Sequence, residues 1–138
     1  VIKMTETIDG ESFTYRYGYD ILGRVVRTEY PSGYTVINRF DADGELDQVA
    51  SSTDGSLWRK PTRNQYGQLT SYVFGNGLTA SNSFDTHDYP DVMSVSNNVM
   101  NLDMYFRPAT GNLESRKDTH RSGMLEIFYI DDLNRLDS

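Results

Sequence analysis

The sequence contains no cysteine, which excludes disulfides, thiolate metal sites and cysteine nucleophiles. Histidine is scarce as well, with only His87 and His120. Basic residues are in deficit: 13 Lys and Arg face 20 Asp and Glu, for a net charge of -7. Phosphate-backbone binding needs clustered Lys and Arg, so no nucleic-acid partner is expected. The acidic surplus instead suits the solubility of an extended β surface. No apolar run approaches the roughly 20 residues of a membrane-spanning helix, and no signal-peptide pattern is visible. No segment sustains a 3.6-residue apolar period. Hydrophobic residues make up 37%, which is low for a compact core.

Aromatic residues are plentiful: ten Tyr, six Phe and one Trp. Much of the buried area is therefore expected from their rings. They also mark an internal repeat, the first thing to look for in such a chain. The clearest copy is Tyr17-Gly18-Tyr19-Asp20-Ile21-Leu22-Gly23-Arg24-Val25, with the skeleton aromatic-x-aromatic-Asp-x-x-Gly-polar-aliphatic. A second is Phe40-Asp41-Ala42-Asp43-Gly44-Glu45-Leu46. Weaker copies end at Gly67, at Asp88 after Phe84-Asp85, and at Gly111. The last is Ile130-Asp131-Asp132-Leu133-Asn134-Arg135-Leu136, with Asn in the Gly place. The Gly-equivalent positions are 23, 44, 67, 88, 111 and 134, at intervals of 21, 23, 21, 23 and 23. A second series of turn signals lies between them: Pro31-Ser32-Gly33, Thr53-Asp54-Gly55, Gly75-Asn76-Gly77, Ser96-Asn97-Asn98 and Arg121-Ser122-Gly123. Each repeat thus holds two turns and two strands, a continuous β-meander.

Turn chemistry explains the signature. Asp-x-x-Gly suits a type I turn, with Asp first and Gly fourth. The carboxylate is expected to accept N–H groups two or three residues on, and the Gly to take the positive φ of a closing bulge. Asn134 tolerates that conformation next best. Asp54-Gly55 and Asn76-Gly77 read as two-residue hairpins, and Pro31 presets φ for its turn. Phe13, Tyr15, Tyr17 and Tyr19 alternate with Ser12, Thr14, Arg16 and Gly18, so they are expected on one face.

These residues resemble the YD-repeat family, also called RHS repeats. The pattern Tyr-x-Tyr-Asp-x-x-Gly-Arg-Leu, followed by Tyr-Pro-x-Gly, is matched by Tyr17, Tyr19, Asp20, Gly23 and Arg24 with Tyr30, Pro31 and Gly33. Phe40, Asp41 and Gly44 match well, as do Asp131 and Arg135, and the resemblance runs from about Ser12 to Asp137. It implies an all-β fold of tandem antiparallel hairpin repeats in a continuous curved or spiralling sheet, part of a β-shell. In bacterial toxins of this family such shells surround a toxic C-terminal segment. Related repeats occur in animal adhesion proteins, and carbohydrate binding is proposed for some members. The Asp-Pro-x-Gly segment linked to self-cleavage in the family is absent from this sequence.

The expectation is a single array over residues 1–138 of about six repeats, with signature turns near 20–23, 41–44, 64–67, 85–88, 108–111 and 131–134, excised from a longer chain. The resemblance implies a non-catalytic wall segment of an extracellular or cell-surface protein. Its partners would be the neighbouring repeats of its parent, with edge-to-edge self-association expected of unpaired strands. The structural signature residues are Tyr17, Tyr19, Asp20, Gly23, Arg24, Tyr30, Pro31, Gly33, Phe40, Asp41, Gly44, Gly67, Phe84, Asp85, Gly111, Asp131 and Arg135. No cofactor is called for. His87 and His120 sit in or near different turns, without metal-ligand spacing. Asp41, Asp43 and Glu45 look like half a Ca²⁺ loop, but the chain re-enters a strand at Leu46, short of the twelve-residue loop an EF-hand needs. Asp131-Asp132 could pair for acid–base chemistry, yet Asp131 already belongs to the recurring turn. There is no Gly-x-Ser-x-Gly elbow, and Gly75-Asn76-Gly77 is too short for a phosphate loop. An alternative is a carbohydrate-binding or adhesion module, with Trp58 as the glycan contact. Packing on the inner sheet face is the competing role for that ring.

Overall fold

The computed structural model describes residues 1–131 and 133–137. Twelve strands follow one another: β1 (Ile2–Ile8), β2 (Glu11–Tyr19), β3 (Val25–Glu29), β4 (Thr35–Phe40), β5 (Leu46–Ser51), β6 (Gly55–Arg63), β7 (Leu69–Phe74), β8 (Thr79–Phe84), β9 (Pro90–Val95), β10 (Met100–Phe106), β11 (Leu113–Asp118) and β12 (Met124–Ile127). They form one open sheet in sequence order, without a crossover, and no helix occurs among the described residues. The architecture is the all-β array of antiparallel hairpins that the alternating pattern implied.

Contacts divide the chain into two compact units. One comprises Val1–Pro61 with Val73–Gly77, the other Thr62–Tyr72 with Leu78–Ser138. In the first unit, Tyr15 meets Tyr30 edge-on with ring centroids 6.0 Å apart, and Tyr30 lies 6.4 Å from Tyr34. The Arg24 guanidinium sits 4.1 Å above the Phe40 ring. In the second unit, Tyr89 stacks on Phe106 at 5.3 Å, and Arg116 pairs with Glu126 across β11 and β12.

The aromatic residues do not build the buried interior their number suggested. The residues classed as buried are Thr35, Ala50, Ser51 and Ala80, and no large side chain is fully buried among those described. The reason is geometric: within one sheet, a ring standing off the pleat has strand neighbours but no opposing layer to close over it. Small residues bury because the backbones of adjacent strands crowd them. Stability must come from lateral ring contacts, ladder hydrogen bonds and turn chemistry, with little from a sealed core.

The turns depart from expectation at three places. Asp54-Gly55 and Asn76-Gly77 are not two-residue hairpins. Gly77 donates its N–H to Phe74 O at 3.0 Å, closing a four-residue turn, and only Gly77 of that pair has positive φ. Ser51 pairs with Gly55 across β5 and β6, leaving three residues in the loop. The tight two-residue turn lies instead at Asp9-Gly10, with φ of 49° and 84° between Ile8 and its partner Glu11. It closes a first hairpin ahead of the first signature. The fifth signature turn begins at Arg107, one residue before 108. Gly111 N–H bonds to Arg107 O at 2.9 Å, so this loop is one residue longer than its counterparts.

Candidate functional site

The most organised feature of the molecule is its series of signature turns. At the first, Gly23 N–H donates to Asp20 O at 3.1 Å and Asp20 N–H to Arg24 O at 3.0 Å. Asp20 Oδ1 then accepts the N–H groups of Leu22 and Arg24, both at 2.9 Å. The carboxylate bonds run two and four residues on, where two or three were expected. The hydrogen-bonded chain of the turn swings residue four, not residue three, over the acceptor. Asp41, Asn64, Asp85 and Asp131 repeat the arrangement with the N–H groups of residues 43 and 45, 66 and 68, 87 and 89, and 133 and 135. Asn64 shows that an amide oxygen suffices as acceptor. Arg107 has no such oxygen; its guanidinium reaches Glu114 Oε1 at 2.7 Å.

The Gly-equivalent residues all have positive φ: 80° at Gly23, 88° at Gly44, 78° at Gly67, 65° at Asp88, 71° at Gly111 and 58° at Asn134. The ladder shifts register beside the turns after β2, β4, β8 and β10. That is the bulge a type I turn needs to fit the strand twist.

Two ion pairs harden the ends of the series. Arg24 Nε lies 2.7 Å from Asp20 Oδ2, and Arg135 Nε lies 2.8 Å from Asp131 Oδ2. Partial burial works against the Asp20 charge. The bonds from the Arg24 N–H, the Arg24 guanidinium and the Leu22 N–H outweigh it and hold the carboxyl below the usual 3.8. At Asp131 the Arg135 side chain is the leading cause of a shift in the same direction. Glu114 raises the pKa of Arg107 above its ordinary value.

Side chains also link one turn to the next. Arg24 Nη1 donates to Gly44 O at 3.0 Å. Gln68 Nε2 donates to Asp88 O at 3.0 Å, and Asn112 Nδ2 to Asn134 Oδ1 at 2.9 Å. The Tyr89 hydroxyl comes within 3.0 Å of where a Cβ on Gly111 would lie. The sequence marks the post-glycine position only as polar and does not display its reach to the following turn. Its regular polarity was the available signal.

The remaining signature residues are placed as follows. Tyr17 stands between Ile2 and Thr28 in the ladder, and Tyr19 is exposed beside the bulge. Tyr30 starts the turn closed by Gly33 N–H to Tyr30 O at 2.8 Å, with Pro31 in its first central position. Phe84 pairs with Pro90. Trp58 is half-buried opposite Val49. His87 stacks against Tyr89 at 6.5 Å, while the His120 backbone N–H donates to Asp118 Oδ1 at 3.0 Å. The two histidines are not brought together, and no cluster of three metal-ligating side chains occurs among the described residues. Asp41 Oδ1 already holds two N–H groups, so the resemblance to a Ca²⁺ loop is turn chemistry. Asp132 lies outside the described residues, so its pairing with Asp131 has no structural account.

A cavity of about 310 Å³ involves Arg107, Glu114, Ile127, Phe128 and Tyr129, with Arg107 and Glu114 already paired. A wider, shallow one of about 550 Å³ is walled by Phe13, Tyr15, Tyr30, Pro31, Tyr34 and Val36. The Tyr34 hydroxyl there donates to Asp54 Oδ2 at 2.8 Å.

The sequence matches no family profile and no curated protein sequence. Solved structures do match. A crystal structure of TcdB2-TccC3 without its hypervariable C-terminal region is similar, with a TM-score of 0.77 and 16% identity over 91% of this chain. TcdB2-TccC3 itself gives 0.76 at 15% identity, and a Photorhabdus luminescens Tc holotoxin pore gives 0.75 at 16%. In each case the match covers 91% of this chain and 7% of that one. The likeness is one of fold, and it agrees with the RHS/YD-repeat architecture seen in the sequence.

Proposed function

We propose that this chain is a stretch of wall in a larger, extracellular RHS/YD-repeat protein, a non-catalytic scaffold that encloses or delivers a toxic segment. The observation that carries this reading is the commitment of the signature side chains to backbone. Five of the six signature turns spend a carboxylate or amide oxygen on two N–H groups of the same turn. Recurrence of that kind belongs to construction, whereas chemistry needs one convergent cluster. The fold likeness to toxin-complex chains supports the reading, as does the small share of those chains that this array spans. The partners are then the preceding and following repeats of the same polypeptide. Electron cryomicroscopy of the intact protein tests the proposal: the twelve strands should lie side by side in the wall of an enclosed space.

The open aromatic surface of Phe13, Tyr15, Tyr30 and Tyr34 favours a second reading, an adhesion module that stacks on sugar faces. These rings share one shallow surface, whereas Trp58 is not among the residues that wall it. Calorimetry against millimolar mono- and oligosaccharides separates the two, since a plain wall segment gives no saturable heat.

A further inference from the structure

The repeat read from the sequence is about 22 residues long, but the hydrogen bonds repeat at 44. Arg24, Gln68 and Asn112 each follow the glycine of one signature turn and donate to the next, and they stand 44 residues apart. Asn38 Nδ2 donates to Val25 O at 3.0 Å, and Asn82, 44 residues later, donates to Leu69 O at 3.0 Å. Ser52 N–H bonds to Thr35 O at 3.1 Å, and Ser96 N–H to Thr79 O at 2.8 Å. Gly75 N–H bonds to Leu57 O at 2.7 Å, and Thr119 N–H to Asn101 O at 2.9 Å. In each of these last three pairs donor and acceptor both move by the same 44 positions.

Strand boundaries keep the same period. Strand β2 recurs as β6, β4 as β8, β5 as β9 and β7 as β11, each beginning and ending 44 residues later. The signature intervals of 21 and 23 residues alternate, so a pair of them restores the register. A shift of one repeat does not restore it. The position after the glycine holds Glu45 and Tyr89 in the intervening turns, and Tyr89 makes its link by stacking on Phe106. The last interval is two residues longer than this alternation requires. There Asn112 meets the Asn134 side chain in place of a backbone carbonyl.

We infer that the unit of construction is a module of 44 residues and four strands, and that Arg24, Gln68 and Asn112 are the positioning residues that set the spacing between its two signature turns. The conclusion is independent of what the array encloses. Neighbouring 22-residue repeats have diverged into two complementary halves. A long donor in one half reaches a carbonyl in the other, and an amide side chain ties the outgoing strand to the strand before it. Repeats of this kind are coupled chiefly to their neighbours. Whole modules should therefore be removable, and half modules should not.

Two internal deletions test the inference in the otherwise complete chain. Removing residues 24–67 takes out one module and places Gln68 directly after Gly23. Removing residues 24–44 takes out one repeat and places Glu45 there. The first variant should unfold in a single cooperative denaturant transition, and the second should lose cooperativity or shift to a lower midpoint. Equal midpoints, or failure of the first variant to fold, would overturn the module. Substitutions at Gln68 test the positioning role separately. Gln68→Ala should speed amide exchange in turn 85–88 about fivefold, the worth of one hydrogen bond. Gln68→Arg, which installs the donor found at position 24, should restore the slow rate. If Ala and Arg behave alike, Gln68 does not set the spacing.

Discussion

At Gly44 the backbone has φ of 88°, and a Cβ there would come within 3.2 Å of Arg24 Nη1. Both constraints oppose a β-branched side chain, so Gly44→Val should lower unfolding free energy by more than about 1 kcal/mol in denaturant melts. An unchanged midpoint would mean that this turn is not set by its glycine. Asp20 makes a different prediction. Asn64 performs the same two-bond capping with an amide oxygen. Asp20→Asn should therefore keep the turn but lose the Arg24 ion pair, and Asp20→Ala should lose both. The carboxyl is held below its unfolded value of 3.8, so its contribution is present above that value and disappears as pH falls through the lower folded one. The wild-type chain should accordingly lose stability on acidification below about pH 4, and Asp20→Asn should flatten that limb. These residues were legible in the sequence because turn chemistry is local. Asp and Gly three apart predict their own geometry, and positive φ falls at each of the six Gly-equivalent positions. The degree of burial of each ring was not legible, since a count of rings does not say whether a second layer exists to close over them.

The strands were legible from alternation, and the hairpins from the spacing of their turns. What the sequence hid was the extent of the first hairpin and the identity of the tight turns. Strand β1 and Asp9-Gly10 lie ahead of the first signature and outside the repeat pattern. Asn76-Gly77 looks like a two-residue turn, yet Gly75 must pack against Leu57, and a Cβ on Gly75 would fall 2.4 Å from Ser56 O. Those neighbours come from strand β6, across the sheet from Gly75, which no local rule contains. The elements also differ in protection. Every residue of β1 and β12 is exposed, whereas β4, β5 and β8 hold the buried Thr35, Ala50, Ser51 and Ala80. Hydrogen exchange should be fastest in β1 and β12 and slowest in those three strands. Uniform protection across the twelve strands would contradict a sheet held by its interior ladders.

At the scale of the whole molecule, β1 and β12 stand at the two ends of the sheet order, so among the described residues each has one edge with no strand beside it. Unpaired edges template association. Head-to-tail joining would set β12 of one copy beside β1 of the next. Light scattering should therefore show mass rising with concentration, and Thr5→Pro in β1 should suppress it. A strictly monomeric species at high concentration would remove that expectation. The sequence supplied the repeat and its fold. It did not supply the two-repeat module, because a 44-residue period is carried by which side chains reach which carbonyl, and residue identity alone is too degenerate to display it. The wall reading rests on this construction, in which signature side chains are spent on their own turn and on the next one. The most direct measurement is electron cryomicroscopy of the intact protein that carries this segment. The account predicts β1 and β12 each paired to an adjoining repeat, with the sheet lining an enclosed lumen. A segment standing alone with both edges free, or packed around no enclosed space, would contradict it.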